Sequence, residues 1–327
     1  MRILSFAAAL MGAFVSAADG ADAQNLRIGY WSSGSSLGFG SFLKEGGYLE
    51  AQGFDVTFVT FPDVNAPTKA LAAGGIDFAI GASAGGAMSV TADGLPMSII
   101  LATQVADLKF VVPKDSAITK MEDLSGKKIG MSPAGSATAS ISTAILDKNY
   151  GISGSDLEAV PGNDSRLAQF LVQGDIDAAA LRTVSLALLR DQEFREIGSF
   201  KEEWAKITGA PGAPILAVGV VRNAWLDEFG EEGAARIIAG MRNALADGSA
   251  NKDKVISALV NAAALSESDA DAYATLWDDI YIVTMTPDDV KSLSTTFDTF
   301  KEVGVLSGDF AEDAVLTAPF EISKSID

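Results

Sequence analysis

The residues best suited to bind a small molecule stand where short loops leave predicted strands and enter helices. Gly135, Ser136, Ala137 and Thr138 follow the predicted strand 128–131 and open the next helix. The first N–H groups of a helix lack partners within it, and its positive dipole end favours an anion. The small side chains let a ligand approach that backbone closely. Capping of the helix by the Ser136 hydroxyl is the alternative interpretation.

Arg182 is the most distinctive charged residue among the loops that follow strands. It stands directly after the predicted strand 176–181. A planar guanidinium presents a fork of donors that suits a carboxylate or a sulfonate. The alternative is a surface arginine paired with Asp191 or Glu193, which would contribute little.

Ligands of open α/β sheets bind beyond the carboxyl ends of the strands, and this rule selects several further residues. An indole such as that of Trp31 can stack on a ligand or pack in the core. Ser83 lies in a run of tiny residues that a tight turn into a helix also requires. The complete set of additional ligand-binding candidates is Trp31, Ser32, Ser33, Ala82, Ser83, Asn163 and Thr183.

The chain contains no cysteine and no histidine. Disulfides, thiol nucleophiles, Cys/His metal sites and a Ser-His-Asp triad are therefore excluded. Carboxylates, lysines and cofactors remain as options for an enzyme. Only together with the export signal and the family resemblance described below do we expect a binding protein with no metal and no cofactor, and not an enzyme. The formal net charge of −19 disfavours nucleic acid as a partner, because such a protein repels phosphate backbones. An anionic ligand needs local positive potential against this field.

The N-terminus has the layout of a secretory signal peptide. Arg2 precedes an apolar run over residues 3–15, and Ala21, Asp22 and Ala23 form an A-x-A cleavage site before Gln24. A buried first helix is the alternative. No later stretch approaches the roughly 18 apolar residues of a membrane span. We therefore expect residues 1–23 to be removed and the mature chain to be soluble and periplasmic, without membrane insertion.

Strands and helices alternate through two rounds of the chain, which predicts parallel sheets covered by helices. A polar, glycine-rich turn is expected over residues 32–40, and most of the chain from 225 to 313 is expected to be helical. Residues 71–78 and 171–178 share one sequence feature, a glycine that ends a helix before a strand begins. Further strands are predicted at 26–30, 56–61, 76–80, 98–103, 110–113, 157–160 and 215–221.

Several motifs in order resemble the substrate-binding proteins of ABC importers in the sulfonate, nitrate and taurine group, which also includes thiamine-precursor binders. They begin with the opening strand Leu-Arg-Ile-Gly-Tyr and continue through most of the chain. The motifs lie at residues 26–30, 70–81, 112–116, 123–130, 135–136 and 174–178.

This resemblance implies a type II periplasmic-binding-protein fold of class α/β, with two lobes, two crossing strands and a ligand cleft between the lobes. Residues 24–112 and 215–327 would form lobe one, with the helical C-terminal stretch packed on it, and residues 113–214 would form lobe two. The implied protein is a monomer that closes on a small molecule by a hinge. Its partners would be an ABC permease and the ATPase of that permease.

One departure from the group concerns the loop after strand 176–181. The group often has an aromatic, an acidic residue and a proline there, whereas this chain has Arg182, Thr183 and Val184. The acidic partner for an ammonium group is missing, which argues against taurine and favours a sulfonate-like or carboxylate-like ligand. Two alternatives stay open: a thiamine-precursor (pyrimidine) binder or enzyme of the same fold, and a ligand-binding partner of a membrane sensor.

Overall fold

The computed structural model describes residues 23–156, 158–189 and 191–327. The predicted signal peptide, apart from Ala23, lies outside the described residues. The strands are β1 (Gln24–Trp31), β2 (Phe54–Phe61), β3 (Phe78–Ser83), β4 (Met97–Val105), β5 (Leu108–Pro113), β6 (Lys128–Met131), β7 (Glu158–Pro161), β8 (Ala178–Arg182), β9 (Phe194–Ser199), β10 (Ile215–Arg222) and β11 (Tyr281–Thr284).

Helices fill most of the intervals between these strands and most of the C-terminal third. They are α1 (Gly34–Gly46), α2 (Ala66–Ala72), α3 (Ala84–Ala92), α4 (Ala137–Tyr150), α5 (Asp164–Gln173), α6 (Thr183–Leu188), α7 (Phe200–Thr208), α8 (Asn223–Ala250), α9 (Lys252–Ala263), α10 (Glu267–Thr275), α11 (Trp277–Ile280), α12 (Pro287–Glu302) and α13 (Ala318–Ser323). No helix in the described ranges is long and apolar enough to cross a membrane.

The strands form two separate sheets, and each sheet is the centre of one lobe. The first has the order β11-β4-β10-β3-β1-β2 and the second has the order β7-β6-β8-β5-β9. The predicted two-lobed α/β fold is thereby confirmed. The expectation of parallel sheets is wrong in part: β10 runs antiparallel to β3 and β4, and β5 runs antiparallel to β8 and β9. Alternation of strands and helices cannot reveal the direction of strands that come after a crossing between lobes.

The chain passes between the lobes twice, and the two passages are joined by a hydrogen bond. The first passage lies between β4 and β5, and the second leads from α7 into β10. Here the Ala106 N–H donates to the Pro214 carbonyl at 2.9 Å. All of β5 pairs within the second sheet, so the change of sheet comes at residues 106–107, a few residues before the predicted lobe boundary at 112–113.

Residues 71–78 and 171–178, each with a glycine that ends a helix before a strand, have the same structure in the two lobes. The Asp77 carboxylate accepts the Arg27 N–H of β1 at 3.1 Å, and the Asp177 carboxylate accepts the Lys128 N–H of β6 at 2.8 Å. The N–H of each aspartate donates back to the same strand residue. Each pair thus fixes where a central strand, β3 or β8, starts beside its parallel neighbour.

The C-terminal helices pack mainly on the first lobe, as predicted. α8 contacts α1, β10 and β11, and α13 lies against α8, where Arg242 donates to the Ser323 carbonyl at 2.8 Å. α12 also reaches the second lobe, because it contacts α4 and carries Glu302, the ion-pair partner of Lys148. The C-terminal stretch therefore helps to set how the two lobes meet.

The predicted turn over residues 32–40 is wrong, because α1 begins at Gly34. Glycine and serine have low helix propensity, but packing overrides it here. A Cβ on Gly38 would lie 2.4 Å from the Tyr281 hydroxyl oxygen, and one on Gly40 would lie 2.5 Å from the Tyr30 ring. The glycines are needed because aromatic rings press directly on this helix.

Candidate functional site

A small cavity of about 20 Å³ lies where the two lobes meet. Its walls combine hydroxyl, amide and guanidinium groups with apolar side chains and the backbone of small residues. The first lobe contributes residues from β1, α1, β3 and β4, and the second contributes the first turn of α4 and the end of β8. The residues that carry polar groups into it are Ser36, Ser83, Gln104, Ser136, Thr138 and Arg182.

Arg182 is buried at this cavity, with 4 % of its surface exposed. Its Nη1 donates to Asp164 Oδ1 at 2.7 Å, and its Nη2 donates to Thr138 Oγ1 at 3.2 Å. The interpretation of Arg182 as a surface arginine is wrong, and Glu193 pairs with Lys114 instead. A guanidinium has five N–H donors, so these two bonds leave others for a bound anion.

The indole ring of Trp31, from the first lobe, stacks on the guanidinium of Arg182. The Arg182 Cζ lies 4.9 Å from the centre of the Trp31 ring, within the range of a cation–π interaction. The indole Nε1 donates to the Pro62 carbonyl at 3.3 Å, which fixes the ring. Gly34 has a φ of 54°, and a Cβ there would lie 2.4 Å from the Trp31 ring. Glycine is therefore required for the ring and the guanidinium to stack.

Three helices of 9 to 14 residues begin at the cavity. α1 contributes Ser36 from its first turn, α3 is capped by Ser83, and α4 is capped by Ser136. Each helix start carries roughly half a positive charge. The Asp164 carboxylate offsets the Arg182 charge, so the three helix starts leave a local charge of about +1.5. The arrangement can hold an anion of one or two negative charges.

Two tyrosines hold the first turn of α1 in place. The Tyr273 hydroxyl donates to the Gly34 carbonyl at 3.1 Å, and the Tyr281 hydroxyl donates to the Ser35 carbonyl at 2.6 Å. Burial raises the pKa of Tyr273 to about 12 and that of Tyr281 well above its ordinary value. Both phenols are therefore neutral donors at physiological pH.

Hydrogen bonds between the lobes close the cleft beside the cavity. Ser83 Oγ donates to the Gly135 carbonyl at 3.3 Å, and Asn65 Nδ2 donates to the Ala134 carbonyl at 3.2 Å. Gly135 has a φ of 83°, a backbone conformation that favours glycine. The loop before α4 is thus turned so that its carbonyls meet the first lobe while its helix start faces the cavity.

The predicted candidates do not all come together at this cavity. Trp31, Ser83, Ser136, Ala137, Thr138 and Arg182 line it. Gly135 lies beside it, and Ala82 is buried in β3 opposite Val218. Ser136 is indeed the N-cap of α4, as the alternative interpretation holds, and it also lines the cavity.

The remaining candidates have other surroundings. Ser32 is exposed and donates to the Phe61 carbonyl at 3.0 Å, while Ser33 precedes α1 without a capping bond. Asn163 caps α5 by accepting the Arg166 N–H at 2.9 Å, and it lines a neighbouring part of the cleft. Thr183 Oγ1 donates to Asp107 Oδ1 at 2.9 Å at the passage between the lobes. Whether these residues contact a ligand stays a prediction.

Seven residues of the site were not among the predicted candidates. Six of them line the cavity, and the seventh is Asp164, the partner of Arg182; the six are Ser36, Val64, Gly81, Gln104, Leu216 and Ala217. Asp164 is 6 % exposed and also accepts the Arg182 N–H, at 3.1 Å. Gln104 Nε2 donates to Ser36 Oγ at 3.2 Å. The signal for Asp164 was available, since an acidic residue directly follows Asn163 in a selected loop. Among the described residues, no cluster of three or more carboxylates could hold a metal ion.

Comparison with solved structures supports the two-lobed fold. The alkanesulfonate-binding protein SsuA from Xanthomonas axonopodis pv. citri bound to MOPS superposes with a TM-score of 0.74 at 18% identity, over 91% of this chain and 99% of that one. The periplasmic aliphatic sulphonate binding protein SsuA from Escherichia coli gives 0.73 at 17% identity, over 89% and 91%. The desulfurization enzyme DSZB gives 0.63 at 14% identity, over 92% and 99%. These identities establish a common fold and nothing more.

The sequence comparisons give a family match. No curated protein matches the chain significantly. Residues 43–204, which run from the end of α1 into α7 and include most of the cavity wall, match the family described as NMT1/THI5 like. This part of the chain, just under half of its length, is similar to the NMT1/THI5-like family, and the match supports the resemblance of the sequence motifs to the sulfonate, nitrate and taurine group of substrate-binding proteins.

Proposed function

We propose that this protein is the periplasmic solute receptor of an ABC importer and binds a small organic anion between its lobes. The ligand would carry a sulfonate or a carboxylate. The receptor would deliver it to a membrane permease coupled to an ATPase. The single observation that carries the proposal is the convergence of Arg182 and three helix starts on one cavity shared by both lobes.

The chemistry of the cavity wall supports an acidic ligand over a cationic one. Arg182 contributes a guanidinium with unused donors, and the helix starts contribute partial positive charge. The nearest carboxylate, Asp164, is already bonded to Arg182 through both of its oxygens. Two related folds belong to proteins named as sulfonate binders, which agrees with this choice.

Closure of the lobes around the ligand is the second part of the proposal. The Trp31–Arg182 stack and the Ser83–Gly135 hydrogen bond both join one lobe to the other. An anion held by groups from both lobes would favour the closed form, because only that form contacts it from both sides. Small-angle scattering should show a smaller radius of gyration when a bound anion is added. An unchanged radius at saturation would contradict hinge closure.

Calorimetry tests the anion site directly. A panel of methanesulfonate, acetate, taurine and a neutral pyrimidine should show binding of methanesulfonate and acetate, weaker binding of taurine, whose ammonium group lacks an acidic partner, and no binding of the pyrimidine. Arg182→Ala should weaken acid binding by about 30-fold or more, because removing one partner of a buried charged contact costs on the order of 2–5 kcal/mol. Arg182→Lys should restore part of the affinity, since it keeps the charge and loses the fork.

Two further variants control this experiment. Arg195→Ala removes an arginine that donates to the Ser116 and Ile118 carbonyls away from the cleft, so binding should be unchanged. The double variant Arg182→Ala with Asp164→Ala removes both buried charges and guards against a folding defect. Unchanged acid binding in either Arg182 variant would contradict the anion site.

Two alternatives remain. The family match leaves open a pyrimidine binder. The similar fold of the desulfurization enzyme DSZB leaves open an enzyme. Trp31 could stack on an aromatic ring, and this is the observation that favours a pyrimidine. Binding of the pyrimidine alone would favour that alternative, and chemical conversion of any bound compound would favour an enzyme.

A further inference from the structure

A second cavity of about 300 Å³ adjoins the anion site within the cleft. It lies between α2 and α3 of the first lobe, the start of α4 in the second lobe, and the segment that follows α12. Its wall includes Thr68, Lys69, Ser89, Val90, Ser140 and Leu306. It is large enough for several carbon atoms, whereas the central cavity is not.

A hydrogen bond between Ser83 and Gly135 lies between the two cavities. Ser83 lines the central cavity, Gly135 lines the second, and Ser83 Oγ donates to the Gly135 carbonyl at 3.3 Å. Gly86 stands beside this contact, where an added Cβ would lie 3.2 Å from the Gly135 oxygen. A shift of the Ser83 hydroxyl toward a bound anion would break this long hydrogen bond and remove one of the contacts between the two spaces.

The second cavity has one apolar wall and one wall of hydrogen-bond donors. Val90 and Leu306 both belong partly to the hydrophobic core and line the apolar side. On the other side, the Thr68 hydroxyl is buried and has no hydrogen-bond partner within the described ranges. Lys69 is exposed and forms no ion pair with a carboxylate of the described residues. These groups suit a carbon chain that ends in a hydrogen-bond acceptor.

We infer that this second cavity is the tail compartment of the ligand site. The ligand is then an organic anion whose acidic head lies at Arg182 and whose carbon chain lies along Val90 and Leu306. The far end of the chain carries an acceptor, such as a second carboxylate, near Thr68 and Lys69. This inference rests on the proposed anion site and adds the length and the end group of the ligand.

Calorimetry with three sulfonates tests the compartment: methanesulfonate, butanesulfonate, and butanesulfonate with a terminal carboxylate. Wild type should bind them with increasing affinity, by at least tenfold from first to last. Ser89→Leu fills the second cavity and should reduce binding of the two long acids at least tenfold, with methanesulfonate changed less than threefold. Lys69→Gln should weaken only the acid with the terminal carboxylate, by about threefold.

The chain offers a matched control for each variant. Ser292 and Lys291 lie on α12 beside a different cavity, which shares no lining residue with the two cavities described above. Ser292 is half-buried like Ser89, and Lys291 is exposed like Lys69. Ser292→Leu and Lys291→Gln should leave all three affinities unchanged.

The outcomes separate this inference from the proposed function. Absence of binding by all three acids to wild type would overturn both. Equal affinity for the short and long acids, or equal loss for all three acids in Ser89→Leu, would overturn the tail compartment and leave the anion site in place. Selective loss of the long acids in Ser89→Leu supports the compartment.

Discussion

Asp164→Asn should lower the stability of the protein and strengthen its binding of anions. The Arg182–Asp164 pair is buried, with 5 % and 7 % of the two side chains exposed. Neutralising one member of a buried ion pair leaves the other charge uncompensated, and about 3 kcal/mol of unfolding free energy should be lost. Asparagine keeps an oxygen that can accept the Arg182 Nη1 hydrogen, so the guanidinium should stay in position.

The gain in anion affinity follows from the charge that the substitution removes. An anion on the cavity side of the guanidinium would lie about 6 Å from the Asp164 carboxylate, and at an effective dielectric constant of about 20 their repulsion is about 3 kcal/mol. Some of this gain is lost if Arg182 becomes less well oriented. We therefore expect methanesulfonate to bind at least tenfold more tightly.

The assay pairs chemical denaturation with calorimetry on the same preparations. Asp175→Asn is the matched control, because Asp175 is exposed in the same lobe and the substitution makes the same change in net charge. That variant should alter neither quantity. A fall in anion affinity for Asp164→Asn, or no change, would refute the reasoning, because the anion would then not lie against this guanidinium.

Three further predictions concern packing, pH and export. Gly130→Ala should cost about 1–3 kcal/mol of stability in denaturant titration, because the new Cβ would lie 2.6 Å from Ile176 Cδ1; an unchanged midpoint would contradict this packing. Burial raises the pKa of Asp107; Asp279 and Glu196 add to the rise, and the Thr183 hydrogen bond and Lys109 oppose it. The protonated carboxyl therefore stabilises the fold fully below pH 3.8, the ordinary pKa of an aspartate, and this stabilisation is lost as the pH rises through the raised pKa. Asp107→Asn should therefore raise the melting temperature at neutral pH, and the gain should shrink near pH 3.8; an equal gain at both would contradict this. Mass spectrometry of the exported protein should give a chain that begins at Gln24, and an intact Met1 would contradict the predicted cleavage.

The sequence predicted the order of elements well where residue periodicity and turn residues agree. β6 has the predicted bounds, and most other strands differ from prediction by one to three residues at either end. The omissions are β9, β11, α6, α7 and α13. β9 was missed because its exposed and half-buried residues carry charges at Arg195 and Glu196 within a short segment. Its strand structure depends on pairing with β5, which a local pattern cannot show.

The sequence predicted that helix starts and Arg182 belong to the candidate site. It did not predict the contacts of Arg182 with Asp164 and Trp31, which determine the chemistry of the guanidinium. Arg182 was selected because it stands at the carboxyl end of β8, where ligands of open α/β sheets bind. This selection needs no knowledge of the residues that contact Arg182. The bond to Asp164 joins residues 18 positions apart, and the stack on Trp31 joins different lobes. Such contacts arise from tertiary packing. This is why the only pairing that sequence spacing offered for Arg182, as the alternative to ligand contact, was a surface pair with Asp191 or Glu193, whereas the fold provides a buried pair with Asp164.

An acidic protein can still be a receptor for anions, because long-range and short-range electrostatics are separable. The net charge of −19 is spread over an exposed surface, where physiological salt screens it beyond about 8 Å. The groups at the cavity act within hydrogen-bond distance and are shielded from water by both lobes. Surface charge would then govern the association rate of an anion, and the contacts within the cavity would govern its dissociation rate. Raising the salt concentration should accordingly increase the association rate of methanesulfonate and change its dissociation rate little, whereas Arg182→Ala should act mainly on dissociation.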